Sequence, residues 1–170
     1  ILLTGKPGVG KTSVIKKILP LVGMNAGGFF TEEIRVMERR MGFRIVTLDG
    51  TDGILAHSEC NSNYKVGKYR VDIDSFEKVA IPALEDAIKN KSIVVIDEIG
   101  TMELFSMRFK ELVSKILNSE KTLLCTIKEN GDAFTEDIKK RKDVILVTVN
   151  YENREILPEK VFEMLRTTKK

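Results

Sequence analysis

Residues 5–12 read Gly5-Lys6-Pro7-Gly8-Val9-Gly10-Lys11-Thr12, the spacing Gly-x-x-x-x-Gly-Lys-[Ser/Thr] of a loop that cradles a polyphosphate. Glycine lets the backbone curl until successive N–H groups converge on an anion with no Cβ in the way. Lys11 is then placed to reach the β- and γ-phosphates, and the Thr12 hydroxyl to hold magnesium (Mg²⁺). Ser13 follows in the first helical turn, on the α-phosphate side. The apolar run Ile1-Leu2-Leu3 precedes the loop, and Val14, Ile15, Ile18, Leu19 and Val22 follow it at helical spacing. The loop therefore opens a helix whose N-terminal dipole also favours an anion. A nucleoside triphosphate is the expected ligand, contacted from Gly5 through Ser13.

A second group of residues completes that chemistry. The apolar run Ile93-Val94-Val95-Ile96 ends in Asp97-Glu98-Ile99-Gly100, two carboxylates at the strand end where open α/β folds bind ligands. Asp97 is expected to hold Mg²⁺ through its water shell, because this ion keeps several waters and takes few direct carboxylates. Glu98, directed to the other side of the strand end, is expected to orient or deprotonate an attacking water. Ile96, Ile99 and Gly100 line the same edge of the nucleotide site, and Thr126, ending the next apolar strand, is placed to sense the γ-phosphate. Lys11 and Glu98 are thus the catalytic candidates, Thr12 and Asp97 the metal candidates, and hydrolysis the economical reaction, since water suffices as acceptor.

Apolar runs alternate with amphipathic stretches along the chain, the pattern of a mostly parallel sheet flanked by helices on both faces. Strands are expected near residues 92–96, 122–127 and 144–149, and helices near 105–117, 134–140 and 157–165. The first helix is expected to kink or end near Leu19, because Pro20 lies within its periodic stretch, and a helix over 75–88 must accommodate Pro82. Residues 27–34 and 42–48 read as an inserted β-hairpin around Glu38-Arg39-Arg40, with Phe29 and Phe30 as its core residues and Ile54 to His57 as a third short strand. The polar stretch from Ser58 to Tyr69 reads as a mobile loop. His57, the lone histidine, reads as structural.

With 170 residues and 42% hydrophobic content, the chain suits one buried core, hence a single domain over residues 1–170. Its 28 basic and 25 acidic side chains give a net charge of +3, well mixed, with no strong signal for nucleic acid or an anionic membrane. Two cysteines, Cys60 and Cys125, sit at no metal-like spacing and point to a reducing, cytoplasmic setting without disulfides. No run of roughly 18 apolar residues offers a membrane span. The start at Ile1, without an initiator Met, predicts that a few residues precede it.

Most of the chain resembles the small P-loop nucleoside-triphosphatases that include the human cancer-related enzyme and its archaeal and bacterial relatives. The resemblance rests on the phosphate loop, Gly28-Phe29-Phe30-Thr31-Glu32-Glu33-Ile34-Arg35, Gly42-Phe43, and Val66-Gly67-Lys68-Tyr69. It continues through Asp97-Glu98-Ile99-Gly100-Thr101-Met102-Glu103-Leu104-Phe105-Ser106, Arg141-Lys142-Asp143 and Glu152-Asn153-Arg154 before Leu157-Pro158. It departs at Arg70, where glycine is expected, and at Lys128-Glu129, where some relatives carry a proline-rich turn. The resemblance implies an α/β P-loop fold, slow hydrolysis of several nucleoside triphosphates to the diphosphate, the catalytic role for Glu98 and a monomer.

Arg35, Arg141 and Arg154 are candidates to neutralise charge developing on the transferred phosphoryl group, with Arg154 also able to flank or stack on the base. No Asn-Lys-x-Asp base code is present, so loose base preference is expected. Two rival functions use the same phosphate site. A nucleoside or nucleotide kinase would need a lid, for which Lys65, Lys68 and Arg70 are available, and a nucleotide-dependent switch would need a partner.

Overall fold

The computed structural model describes residues 1–167, and nine strands share one sheet. In chain order the elements are β1 (Leu2–Thr4), α1 (Lys11–Val22), β2 (Ala26–Val36), β3 (Arg39–Thr47), β4 (Asp52–His57), β5 (Lys65–Val66), β6 (Tyr69–Val71) and α2 (Ile73–Asn90). They continue with β7 (Ile93–Ile99), α3 (Met107–Leu117), β8 (Thr122–Ile127), α4 (Ala133–Lys139), β9 (Leu146–Thr148) and α5 (Leu157–Thr167). The sheet order is β5-β6-β4-β3-β2-β7-β8-β1-β9. Strands β2, β7, β8, β1 and β9 run parallel, and β3, β4, β6 and β5 extend the sheet in antiparallel fashion.

The two-residue period of the central strands distributes their side chains between two cores. Leu2, Val94, Ile96, Leu123 and Cys125 turn toward α2 and α3, whereas Leu3, Val95 and Leu124 turn toward α1 and α5. Each helix answers with one apolar stripe: Val14, Ile15, Ile18 and Val22 on α1, Leu157, Val161 and Leu165 on α5, and Phe109, Leu112, Val113 and Ile116 on α3. Phe29 of β2 meets Phe76 of α2 and Phe109 of α3 in a cluster with ring centroids 5.3–6.2 Å apart. Asp72, Ser106 and Asp132 cap α2, α3 and α4 by accepting hydrogen bonds from the backbone N–H of Ser75, Phe109 and Thr135.

Three expectations from the sequence need correction. Helix α1 does not stop near Leu19 but runs on to Val22 with Pro20 inside it, and α2 likewise passes through Pro82. Both prolines are exposed, so the carbonyl four residues back loses its helical donor on the solvent side, where water replaces it. The hairpin is not a separate insertion: β2 is a parallel core strand in its first half and the first arm of the hairpin in its second. Its two-residue turn, Met37-Glu38, takes positive φ at both positions without the usual Asn-Gly. The stretch from Ser58 to Tyr69 is not all loop, since β5 and β6 form a small hairpin that pairs with β4 at the sheet edge. Cys60 and Cys125 are both free thiols, and no helix among the described residues is long and apolar enough to cross a membrane.

Candidate active site

Strand β8 lies between β1 and β7, and all three run parallel, so three carboxyl-terminal strand ends meet on one edge of the sheet. The phosphate loop leaves β1, Asp97 and Glu98 lie just before the end of β7, and Thr126 lies just before the end of β8 between them. The loop needs its glycines for local reasons. A Cβ on Gly5 would stand 2.5 Å from the Val149 carbonyl oxygen, and Gly10 takes φ +107° where the loop enters α1. Lys11 is buried, and its ammonium folds back to donate to the Gly5 carbonyl at 2.9 Å and the Lys6 carbonyl at 3.5 Å. The cation is thereby held across the mouth of the loop it belongs to.

Asp97 is fully buried, and its carboxyl is gripped from both neighbouring strands. Thr126 Oγ1 donates to Oδ1 at 2.5 Å, while Oδ2 accepts from Thr31 Oγ1 at 3.1 Å and from the Thr31 N–H at 3.3 Å. Strand β7 bulges here: Ile96 pairs with Cys125 but Ile99 with Ile127, so β7 spends one extra residue at Asp97-Glu98. Such a bulge re-aims side chains at a strand end. Simple alternation therefore does not describe how Asp97 and Glu98 are presented. Thr126 serves first as a donor to Asp97. Thr31 is not among the site residues expected from the sequence, although its segment carries part of the family resemblance; its contact with Asp97 depends on β2 lying beside β7.

Glu98 is half-buried, and burial pushes its carboxyl above the ordinary carboxylate range. Lys11 and Lys128 pull it back down, while Asp97 pushes it further up. Lys128, also within 3.4 Å of the Thr101 hydroxyl, is a second residue that sequence reasoning did not assign to the site. The third is Glu103, a buried acid in the turn after Gly100, raised to about 8 by burial and by the neighbouring Glu98. The only signal for it in the sequence was its place in the segment that carries the family resemblance.

A family model described as NTPase matches residues 1–162. The chain belongs to this NTPase family. It is 48% identical to the nucleoside-triphosphatase THEP1 of Thermotoga maritima over 98% of this chain and 95% of that protein. It is 40% identical to the human cancer-related nucleoside-triphosphatase, covering all of this chain and 98% of the human one. The crystal structure of THEP1 from the hyperthermophile Aquifex aeolicus superposes with a TM-score of 0.90 at 38% identity, covering 97% of this chain and 98% of that one. The fold is accordingly the α/β P-loop fold expected from the motifs.

Within this NTPase the arginines part company. Arg154 reaches the phosphate loop: a Cβ on Gly10 would be 3.5 Å from its Cδ, and its guanidinium lies 5.1 Å from the Tyr151 ring centroid. It borders a cavity of about 290 Å³ with Gly10, Ser13, Val14, Lys17 and Glu155. Its Nε makes an ionic contact with Glu155 at 3.5 Å rather than a hydrogen bond. Arg141, one of the three candidates, is not brought to the site. It lies beside the C-terminus of α3, held by Asp143 at 2.7 Å, the Asn118 side chain and the Leu117 carbonyl, at the opposite end of the sheet. Arg35 is spent on Glu33 and the Glu38 carbonyl in the outer hairpin. Of the lid candidates, Arg70 bonds the Ser62 carbonyl, Lys68 lies over the Tyr69 ring, and Lys65 belongs to β5.

Among the described residues no three His, Cys, Asp or Glu side chains are grouped to hold a metal. The oxygen donors that are present, the Thr12 hydroxyl and the Asp97 carboxyl, suit Mg²⁺, which takes few protein ligands and fills its shell with waters and substrate phosphates.

Proposed function

We propose that this protein hydrolyses nucleoside 5′-triphosphates, ATP, GTP, CTP and UTP alike, to the diphosphate and phosphate with Mg²⁺ as cofactor. The observation that carries the reading is Glu98. A half-buried carboxyl raised by its surroundings stands beside Lys11, immediately after an Asp97 gripped by two threonines. The names of the relatives support the same reaction. Glu98 takes a proton from a water molecule, and the water oxygen attacks the γ-phosphorus. The bond from that phosphorus to the β–γ bridging oxygen breaks, and the diphosphate leaves with the electron pair. Lys11 exchanges its loop carbonyls for β- and γ-phosphate oxygens, and converging loop N–H groups hold the rest of the polyphosphate. Thr12 through its hydroxyl and Asp97 through the ion's water shell would hold Mg²⁺, which would supply neutralisation of the polyphosphate charge.

These contacts read phosphates, which every nucleotide shares. The base is assigned to the Arg154–Tyr151 shelf beyond Ser13, where stacking favours no hydrogen-bonding pattern over another. The test is Mg²⁺-dependent phosphate release from each of the four triphosphates. Comparable release from several of them is expected. Release from none of them, or only after a phosphoryl acceptor is added, would overturn the reading, the second result in favour of a kinase.

A further inference from the structure

Glu103 has no use in the chemistry described so far, yet it is one of the most deeply buried acids in the protein, 5% exposed. A carboxyl is seldom buried without a counter-ion. Among the described residues no ion pair involves Glu103. The charged groups of β7 that face it, Glu98 and Asp97, are of its own sign, and its favourable contacts are the backbone N–H groups of Gly100 and Glu103. Lys11 and Lys128 approach Glu98. From the helices packed on this turn, Glu77 of α2 is occupied by Arg108 of α3 at 3.3 Å and by the Ser106 hydroxyl at 2.6 Å.

Glu103 and Glu98 flank the same point beside Gly100. The point where a Cβ on Gly100 would stand lies 2.8 Å from Glu103 Oε2 and 3.3 Å from both Oε1 and Cγ of Glu98. The two side chains therefore close on the same small volume, which a glycine at position 100 leaves free. We propose that Glu103 is a positioning residue for hydrolysis, packed across Gly100 against Glu98 so that the Glu98 carboxylate keeps its aim at the attacking water. This rests on the reading of Glu98 as the group that activates water.

The test measures kcat and KM for wild type, Glu98→Gln, Glu103→Ala, Glu103→Asp and Glu103→Gln at pH 7, with a thermal melt of each variant to establish folding. Glu103→Ala is expected to lower kcat at least about tenfold with KM nearly unchanged, because an aiming contact acts on the transition state. Glu103→Gln, which keeps the size and shape of the side chain, should recover most of that loss. A folded Glu103→Ala with kcat within about threefold of wild type would overturn the proposal. So would a folded Glu103→Gln with kcat as low as that of Glu103→Ala, and if Glu103→Ala does not fold, Glu103→Asp, which draws the carboxyl back by one methylene, is held to the same threefold criterion. If Glu98→Gln hydrolyses as well as wild type, the reading of Glu98 fails and takes the proposal with it. If Glu98→Gln is inactive while Glu103→Ala keeps kcat within about threefold of wild type, the proposal alone fails.

Discussion

Replacing Thr126 with valine keeps the volume and branching of the side chain and removes one hydroxyl, the donor to Asp97 Oδ1. Thr126 and Asp97 are both fully buried, so water cannot take the hydroxyl's place without opening the strand ends. A hydrogen bond to a buried carboxylate is worth about 1.5–3 kcal/mol, and leaving the acceptor unsatisfied forfeits that range in full. Asp97 keeps only the Thr31 contacts, at 3.1 and 3.3 Å on its other oxygen. We therefore expect Thr126→Val to destabilise the protein by about 2 kcal/mol, which for a chain of this length lowers Tm by about 4–8 °C. Thr126→Ser, which keeps the hydroxyl, should recover more than half of the loss. The assay is a thermal melt, with urea denaturation at 25 °C as a check that the slope is unchanged. A Mg²⁺ titration of nucleotide binding should show a weaker dependence on the ion in Thr126→Val, because Asp97 is then less firmly held. If Thr126→Val melts within 1 °C of wild type and responds to Mg²⁺ identically, the argument that Thr126 fixes Asp97 is wrong.

Phe76→Ala opens a cavity where three phenylalanine rings meet, and should cost about 3–5 kcal/mol in urea denaturation while leaving KM for nucleotide unchanged at temperatures where the variant is folded. Stability should also depend on pH in a particular direction. The folded Glu103 carboxyl is raised from 4.5 to about 8, so its stabilising contribution is fully present below pH 4.5 and is lost as pH rises to 8. Glu103→Gln should therefore flatten the fall in the urea midpoint across that window, and an equally steep fall in the variant would refute the assignment. Lys17→Ala breaks a pair with Glu155 in which both partners are about half or more exposed, and should change stability by less than about 1 kcal/mol in the same assay.

What was legible in the sequence was the chemistry that contiguous residues encode. The loop from Gly5 to Thr12, the Asp97-Glu98 pair and the two-sided apolar runs of the central strands are each complete as a pattern within a few positions. The unread parts depend on partners far along the chain. Thr31 reaches Asp97 because β2 and β7 pair in parallel, and no local pattern states which strands become neighbours. The bulge at Asp97-Glu98 is a difference in count between β7 and β8, visible only once they are registered. Glu103 looks like an ordinary polar turn residue, and its burial follows from how the turn after Gly100 folds back under α2 and α3. The rule that proline ends a helix failed at Pro20 because the backbone on that side faces water. Arg141, one arginine among several, was drawn to the C-terminus of α3, where carbonyls and Asp143 satisfy it.

The most direct test of the account separates binding from chemistry at Glu98. Calorimetric titration of Glu98→Gln with ATP and Mg²⁺, alongside single-turnover phosphate release, should show affinity within about threefold of wild type, since the amide keeps the size of the side chain, and release slowed by at least about a hundredfold. Lys11→Ala provides the opposite control and should lose binding. Glu98→Gln releasing phosphate at the wild-type rate would contradict the central claim that this carboxylate activates the attacking water.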